Sequence, residues 1–296
     1  MKQRAKSALI MAPLLIIVFL GGYFLIAGVI ALTVLALREF SAAFGEKRPA
    51  AWVFFASLAV LYGGYLYLAI RWSMFDSSLK IMSVTPLMYL QLLTLWMFLS
   101  VVFCLLAMFA MDKRDLVNGM AAFVGVFYII LFAFYLVLID NYYAKPFDAG
   151  FLRMSGLYNY VWIVFVSAFG TDIFAYFTGL AVGKHKLSPT ISPKKTIEGS
   201  IGGVCGSVLL CVFFSLLFMP DELATCIVIG VAGGVFSQFG DLAASVIKRK
   251  IGIKDWGTLI PGHGGVLDRI DSILFTAPLV FYILALRDYL SVYSLI

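Results

Sequence analysis

Residues 7–37 read SALIMAPLLIIVFLGGYFLIAGVIALTVLAL, an apolar stretch without one charged side chain. A helix needs about 20 apolar residues to cross bilayer hydrocarbon, so this stretch is too long for a single span. Gly21-Gly22 is its plausible turn, which predicts a pair of helices near 7–20 and 23–40. The same measure predicts further spans near 52–70, 87–110, 116–138, 158–182, 199–219, 223–246 and 270–290. Pro220, Asp221 and Glu222 separate the seventh from the eighth. Composition agrees: 62% of the 296 residues are apolar and 13% charged, whereas a soluble domain carries about one quarter charged residues. Aromatic residues, with Tyr and Trp often near segment ends, suit a membrane interface.

The expected fold is therefore an all-α integral membrane protein, a polytopic bundle of about nine transmembrane helices. Residues 1–157 supply about five scaffold helices facing lipid; residues 158–296 carry the rest, with the loops that bear chemistry. The N-terminus resembles a signal peptide, with Lys2, Arg4 and Lys6 before an apolar run, but no small-residue cleavage site follows, so it reads as a retained first helix. Cys104, Cys205, Cys211 and Cys226 all fall in apolar segments without metal-ligand spacing and read as small buried hydrophobes.

Basic residues give an independent check. Seventeen of the 22 Lys and Arg lie in the N-terminal tail, at Arg38, or in the junctions 41–51, 111–115, 183–198 and 247–269. Arg71, Lys80, Lys145, Arg153 and Arg287 fall on the other face. The positive-inside rule then puts the N-terminus in the cytoplasm and the C-terminus across the cytoplasmic (inner) membrane. Segments 183–198 and 247–269 are two spans apart, so both open on the cytoplasmic face. Gly202-Gly203, Gly206, Gly230 and Gly233-Gly234 stud the seventh and eighth helices. Packing within the chain is their first reading; a homodimer seam is the second, no better supported.

Polar residues collect in the last 130 positions, roughly, where any site should lie. Asp172 sits about ten residues inside its helix, roughly 15 Å deep at 1.5 Å per residue. Intramembrane carboxylates are costly and usually face a cavity, a partner or a metal; an Asp that merely fixes packing is the alternative. Asp241 lies near the cytoplasmic end of the eighth helix, and Asp268 opens the ninth with Asp271 three residues on. Capping at a helix start explains Asp268 alone but not the set. Converging carboxylates select a hard cation such as Mg²⁺, one ion or two.

Lys248, Arg249, Lys250 and Lys254 taken alone are ordinary lipid-surface charge. Pro261-Gly262-His263-Gly264-Gly265 changes the reading, because glycines let backbone N–H groups approach an anion and a helix start follows. His263 can donate to a phosphate or move a proton. Ser192-Pro193-Lys194-Lys195-Thr196 supplies a second basic, hydroxyl-bearing anion site. No G-x-x-x-x-G-K-[ST] loop occurs.

The stretch Ser245-x-x-Lys248-Arg249-x-x-x-x-Lys254-Asp255-x-Gly257-x-x-Ile260-Pro261-x-His263-Gly264-Gly265-x-x-Asp268-Arg269-x-Asp271 resembles the diagnostic motif of the phosphatidate cytidylyltransferases (CDP-diacylglycerol synthases). Asp172, Ala175-Tyr176, Gly183-Lys184 and the Ser192–Ser200 segment are similar to that family as well. The resemblance implies a Mg²⁺-dependent reaction of CTP with phosphatidate, giving CDP-diacylglycerol and pyrophosphate. On this reading Asp172, Asp241, Asp268 and Asp271 hold metal. Asp241, Asp268, Lys254 and His263 form the catalytic group. Lys248, Arg249, Lys254, His263, Gly264, Gly265 and Arg269 hold the triphosphate. Lys194, Lys195, Thr196 and Ser200 hold a phosphate, assigned to the lipid. No nucleic-acid polymer is implied. The rivals are a related CTP-dependent lipid kinase, a transporter of an anionic substrate with Asp172 as coupling site, and a purely structural scaffold.

Overall fold

The computed structural model describes residues 15–45, 49–75, 86–110, 116–143, 147–149, 152–154, 156–157, 159–259 and 264–293. Among them, eight helices are long and apolar enough to cross a membrane. Helix α1 is Gly22–Ala43. Helix α2 runs as Ala51–Leu58, a wider π-helical turn at Ala59–Gly63, and Gly64–Phe75. Helix α3 is Pro86–Ala110, and α4 joins Leu116–Val124, a π-helical stretch Gly125–Leu131 and Phe132–Tyr143. Then follow α5 (Tyr160–Val182), α6 (Ile197–Phe218), α7 (Leu223–Lys250) and α8 (Leu267–Tyr293).

Of the first expected helix, residues 15–20 are helical and the remainder lies outside the described residues. The turn after it falls where the sequence puts it. Gly21 and Gly22 take φ of 62° and 52°, a left-handed conformation that side-chain-bearing residues adopt at a cost. Two connections expected as plain loops are short antiparallel hairpins. One pairs β1 (Phe147–Ala149) with β2 (Leu152–Met154), the other β3 (Lys186–Ser188) with β4 (Ser192–Thr196).

The described chain divides into two compact units, Leu37–Leu131 and the residues on either side of it. Within Leu37–Leu131, Trp96 is fully buried and its indole N–H donates to the Ser57 carbonyl at 2.9 Å, while the Ser57 and Ser100 hydroxyls meet at 2.8 Å. A polar group has no water to bond in hydrocarbon, so these pairings satisfy groups that lipid cannot. Facing outward are large apolar side chains: Phe109 is 80% exposed and, in the other unit, Leu180 74%. Such coverage suits lipid as solvent and no aqueous surface.

In the second unit α5 packs along α6, α7 against both α6 and α8, and Phe132–Tyr143 against α8. Glycine sets the spacing. A Cβ on Gly203 would stand 3.0 Å from the Thr171 carbonyl oxygen, and one on Gly230 only 2.8 Å from the Val208 Cα. Small residues are what let helices in lipid approach so closely. Cys211 and Cys226 are buried in this packing, but Cys205, expected inside, is exposed on α6.

At the end of the unit that holds the α5 N-terminus, Arg287 of α8 donates to Tyr160 Oη at 2.7 Å and to Glu222 Oε2 at 2.8 Å. This cluster ties the C-terminal part of α8 to the starts of α5 and α7. The opposite end of the same helices is built differently.

Candidate active site

There the C-terminal half of α5, the first turn of α6, the last turns of α7, the first turns of α8 and strand β4 surround a cavity of about 580 Å³. Helical periodicity decides which side chains enter it. On α5, Asp172, Ala175, Tyr176, Gly179 and Leu180 share one face at spacings of three and four and line the cavity. On α7, Gln238, Asp241 and Lys248 do the same, with Ser245 on that face between the last two. From α8 come Asp268, Arg269, Asp271 and Ser272, and from β4 Lys194, Lys195 and Thr196.

The basic run expected on a loop is the last turn of α7, since the helix continues to Lys250. Lys248 is therefore turned inward and buried. Arg249, one position round the helix, points away and donates to the Ile253 carbonyl at 2.8 Å, closing the helix end.

Two ion pairs lie across the cavity. Lys248 Nζ stands 2.6 Å from Asp268 Oδ1. The other oxygen of Asp268 accepts from the backbone N–H of Trp256 at 2.8 Å and of Gly265 at 2.9 Å. Asp268 thus draws the segment between α7 and α8 inward. Gly264, at φ 84°, leaves room for that carboxylate: a Cβ there would sit 2.8 Å from Asp268 Oδ2. At Gly264 and Gly265 the backbone closes on the chain's own Asp268 carboxylate. Lys195 Nζ meets Asp241 Oδ2 at 2.5 Å, and Ser245 Oγ approaches the other Asp241 oxygen at 3.4 Å.

Hydroxyls are also engaged. Thr196 caps α6, its Oγ1 accepting from Gly199 N at 3.1 Å. Ser200 donates to Gln238 Oε1, and Gln238 Nε2 donates to the carbonyls of Ser200 and Gly234, each at 3.1 Å. Glu198 accepts from Lys184 N at 3.1 Å and pairs with His185 Nδ1 at 2.6 Å, clamping the β3–β4 hairpin onto the helix start.

Among the described residues, no three His, Cys, Asp or Glu side chains are grouped closely enough to hold a metal ion as they stand. The donors are nonetheless the oxygen set that a hard cation takes: Asp172, Asp241, Asp255, Asp268 and Asp271 all line the cavity. Asp172 and Asp271 form no ion pair among the described residues. Asp271 Oδ1 accepts from Ser272 N at 2.7 Å. Both oxygens of Asp268 are already filled and Asp241 is held by Lys195, so Asp172 and Asp271 are the less engaged oxygen donors for a Mg²⁺.

The sequence profile of the cytidylyltransferase family matches residues 2–287. The chain belongs to that family. It is 35% identical over 228 residues to the phosphatidate cytidylyltransferase of Bacillus subtilis (strain 168), covering 70% of this chain and 81% of that one. The phosphatidate cytidylyltransferase of Synechocystis sp. is 48% identical over 125 residues, 42% of each chain. That of Staphylococcus saprophyticus is 42% identical over 129 residues, 43% of this chain and 49% of its own.

For this cytidylyltransferase, ten of the residues singled out in the sequence line the one cavity: Asp172, Lys194, Lys195, Thr196, Ser200, Asp241, Lys248, Asp268, Arg269 and Asp271. Arg249, Lys254, Gly264 and Gly265 are not among its lining, and His263 lies outside the described residues. The cavity adds Tyr176, Gln238, Asp255 and Ser272, to which no role was given. Helical spacing could have found three of them: Tyr176 follows Asp172 by four, Gln238 precedes Asp241 by three and Ser272 follows Asp268 by four.

Proposed function

We propose that this chain transfers CMP from CTP to phosphatidate, giving CDP-diacylglycerol and pyrophosphate. The observation that carries the reading is the joint lining of one cavity by Lys194, Lys195, Lys248 and Arg269 with a set of carboxylates, beside exposed apolar residues of α5. Two polyanions brought together need cationic walls, and a diacyl substrate needs an apolar margin. Tyr176 and Leu180 line the cavity and are also widely exposed on the helix surface, which supplies that margin.

An oxygen of the lipid phosphate attacks the α-phosphorus of CTP; the new P–O bond forms as the bond to the β-phosphate oxygen breaks, and pyrophosphate leaves. The lipid phosphate is already anionic at neutral pH, so the protein's task is positioning and charge neutralisation rather than strong base catalysis. Lys194 and Lys195, with Thr196 and Ser200, orient the lipid phosphate. Lys248 and Arg269 take the triphosphate, a role that the resemblance of the motif extends to Lys254 and His263. Asp172, Asp241 and Asp271 would hold Mg²⁺, which supplies charge neutralisation where the two phosphates meet. The distribution of Lys and Arg favours a cavity that opens to the cytoplasm, with the chain in the cytoplasmic membrane.

The test is the purified full chain in detergent with CTP, Mg²⁺ and phosphatidate. A cytidine-bearing lipid and an equal amount of pyrophosphate are expected. CDP with a newly phosphorylated lipid would make the protein a kinase instead. Vesicle uptake of an anion without nucleotide turnover would make it a transporter.

A further inference from the structure

The two Lys–Asp pairs in the cavity are not equivalent. In Lys248–Asp268 the side chains are 9% and 5% exposed, and backbone donors fill the remaining carboxylate oxygen. That pair is part of the framework. In Lys195–Asp241 they are 25% and 30% exposed, and the second oxygen of Asp241 receives only a long 3.4 Å contact from Ser245. Lys195 sits on the two-stranded β3–β4 hairpin, whereas Asp241 is fixed on α7. An ammonium 2.5 Å from one carboxylate oxygen stands where a hard cation would bind that oxygen. Asp172 and Asp271 line the same cavity, so Lys195 also relieves repulsion among three carboxylates.

We propose that Lys195 is an exchangeable stand-in for the divalent cation at Asp241. With substrate absent, its ammonium neutralises Asp241. When a cation arrives with a phosphate group, partners are exchanged: Asp241 passes to the cation and Lys195 to a phosphate oxygen. Every charge keeps an opposite neighbour throughout. The consequence is coupling: the cation binds well only together with a phosphate substrate, which guards the carboxylates against cation alone. This inference rests on the reaction proposed above, and it makes Lys195 a determinant of cation affinity as well as a phosphate contact.

The experiment is Mn²⁺ binding to the full chain in detergent, read by electron paramagnetic resonance, with Mn²⁺ alone, with CTP and with phosphatidate. Lys195→Met should bind Mn²⁺ alone at least about fivefold more tightly than wild type, the lower end of typical site-to-site coupling. It should also lose the gain in Mn²⁺ affinity that substrate brings to wild type. The arm that produces the gain, CTP or phosphatidate, identifies the phosphate that receives Lys195. Lys195→Arg, which keeps the cation, should keep the coupling. An unchanged or weaker Mn²⁺ affinity in Lys195→Met overturns the exchange. Should thermal unfolding show that variant to be misfolded, Lys195→Gln is read by the same criterion. Product formation by wild type is assayed separately: its absence refutes the reaction, while a flat Mn²⁺ response in an active enzyme refutes the exchange alone.

Discussion

Asp172 and Asp268 line the same cavity, yet their surroundings predict different consequences of replacing them. Asp268 neutralises a buried lysine and accepts two backbone N–H groups. Removing one partner of such a pair strands the other charge, at a cost of about 3–5 kcal/mol. Asp268→Asn should therefore lower the unfolding temperature in detergent as well as abolish turnover; a variant as stable as wild type would contradict the geometry. Asp172 forms no ion pair among the described residues and is open to the cavity. Asp172→Asn should keep wild-type thermal stability and lose turnover with CTP and phosphatidate, and full activity would remove it from the site. From sequence the two were indistinguishable as candidate cation ligands. What was legible was that both carboxylates belong in a polar centre. The hydrogen bonds to Trp256 and Gly265 were not, because they depend on how the chain folds back between α7 and α8.

Among the elements, hydropathy located helices well and their polar ends less well. A hydropathy window stops where charges begin, near 246, but α7 goes on for another turn, and that turn puts Lys248 inside rather than on a loop. The β3–β4 hairpin was missed because its short polar run, with Pro189 and Pro193, has no strand-like alternation. The glycines of α6 were read correctly as contact points, and they matter for the site because Gly203 packs on Thr171, the neighbour of Asp172. Gly203→Leu would drive a branched side chain into the Thr171 carbonyl and Ala175. Overpacking of this kind costs about 1–3 kcal/mol and shifts backbone, so both thermal stability and turnover should fall. Gly63→Ala is the matched control: a Cβ there meets nothing within 4 Å, so stability and activity should be retained. Equal behaviour of the two variants would show that close α5–α6 contact does not shape the cavity.

For the molecule as a membrane protein, the second unit has two polar ends of opposite design. One holds the cavity with its lysines and carboxylates, the other the closed Arg287, Glu222, Tyr160 and Asp288 cluster. Between them α5 runs 23 residues, about 35 Å at the helical rise, enough to cross the hydrocarbon. A helix of that length sets the ends on opposite sides of the bilayer, and we propose from the excess of Lys and Arg at the cavity end that this end faces the cytoplasm. A single exposed cysteine in a Cys-free background tests this with a membrane-impermeant maleimide on intact cells. Lys254→Cys should be labelled only after the membrane is opened, and Asp288→Cys, which is exposed at the other end, from outside directly. Lys254 follows the end of α7 and Asp288 lies in the last turns of α8, at opposite ends of the unit, so the pair is internally controlled. External labelling at position 254 with protection at 288 would invert the orientation and place CTP on the wrong side of the membrane for the proposed reaction.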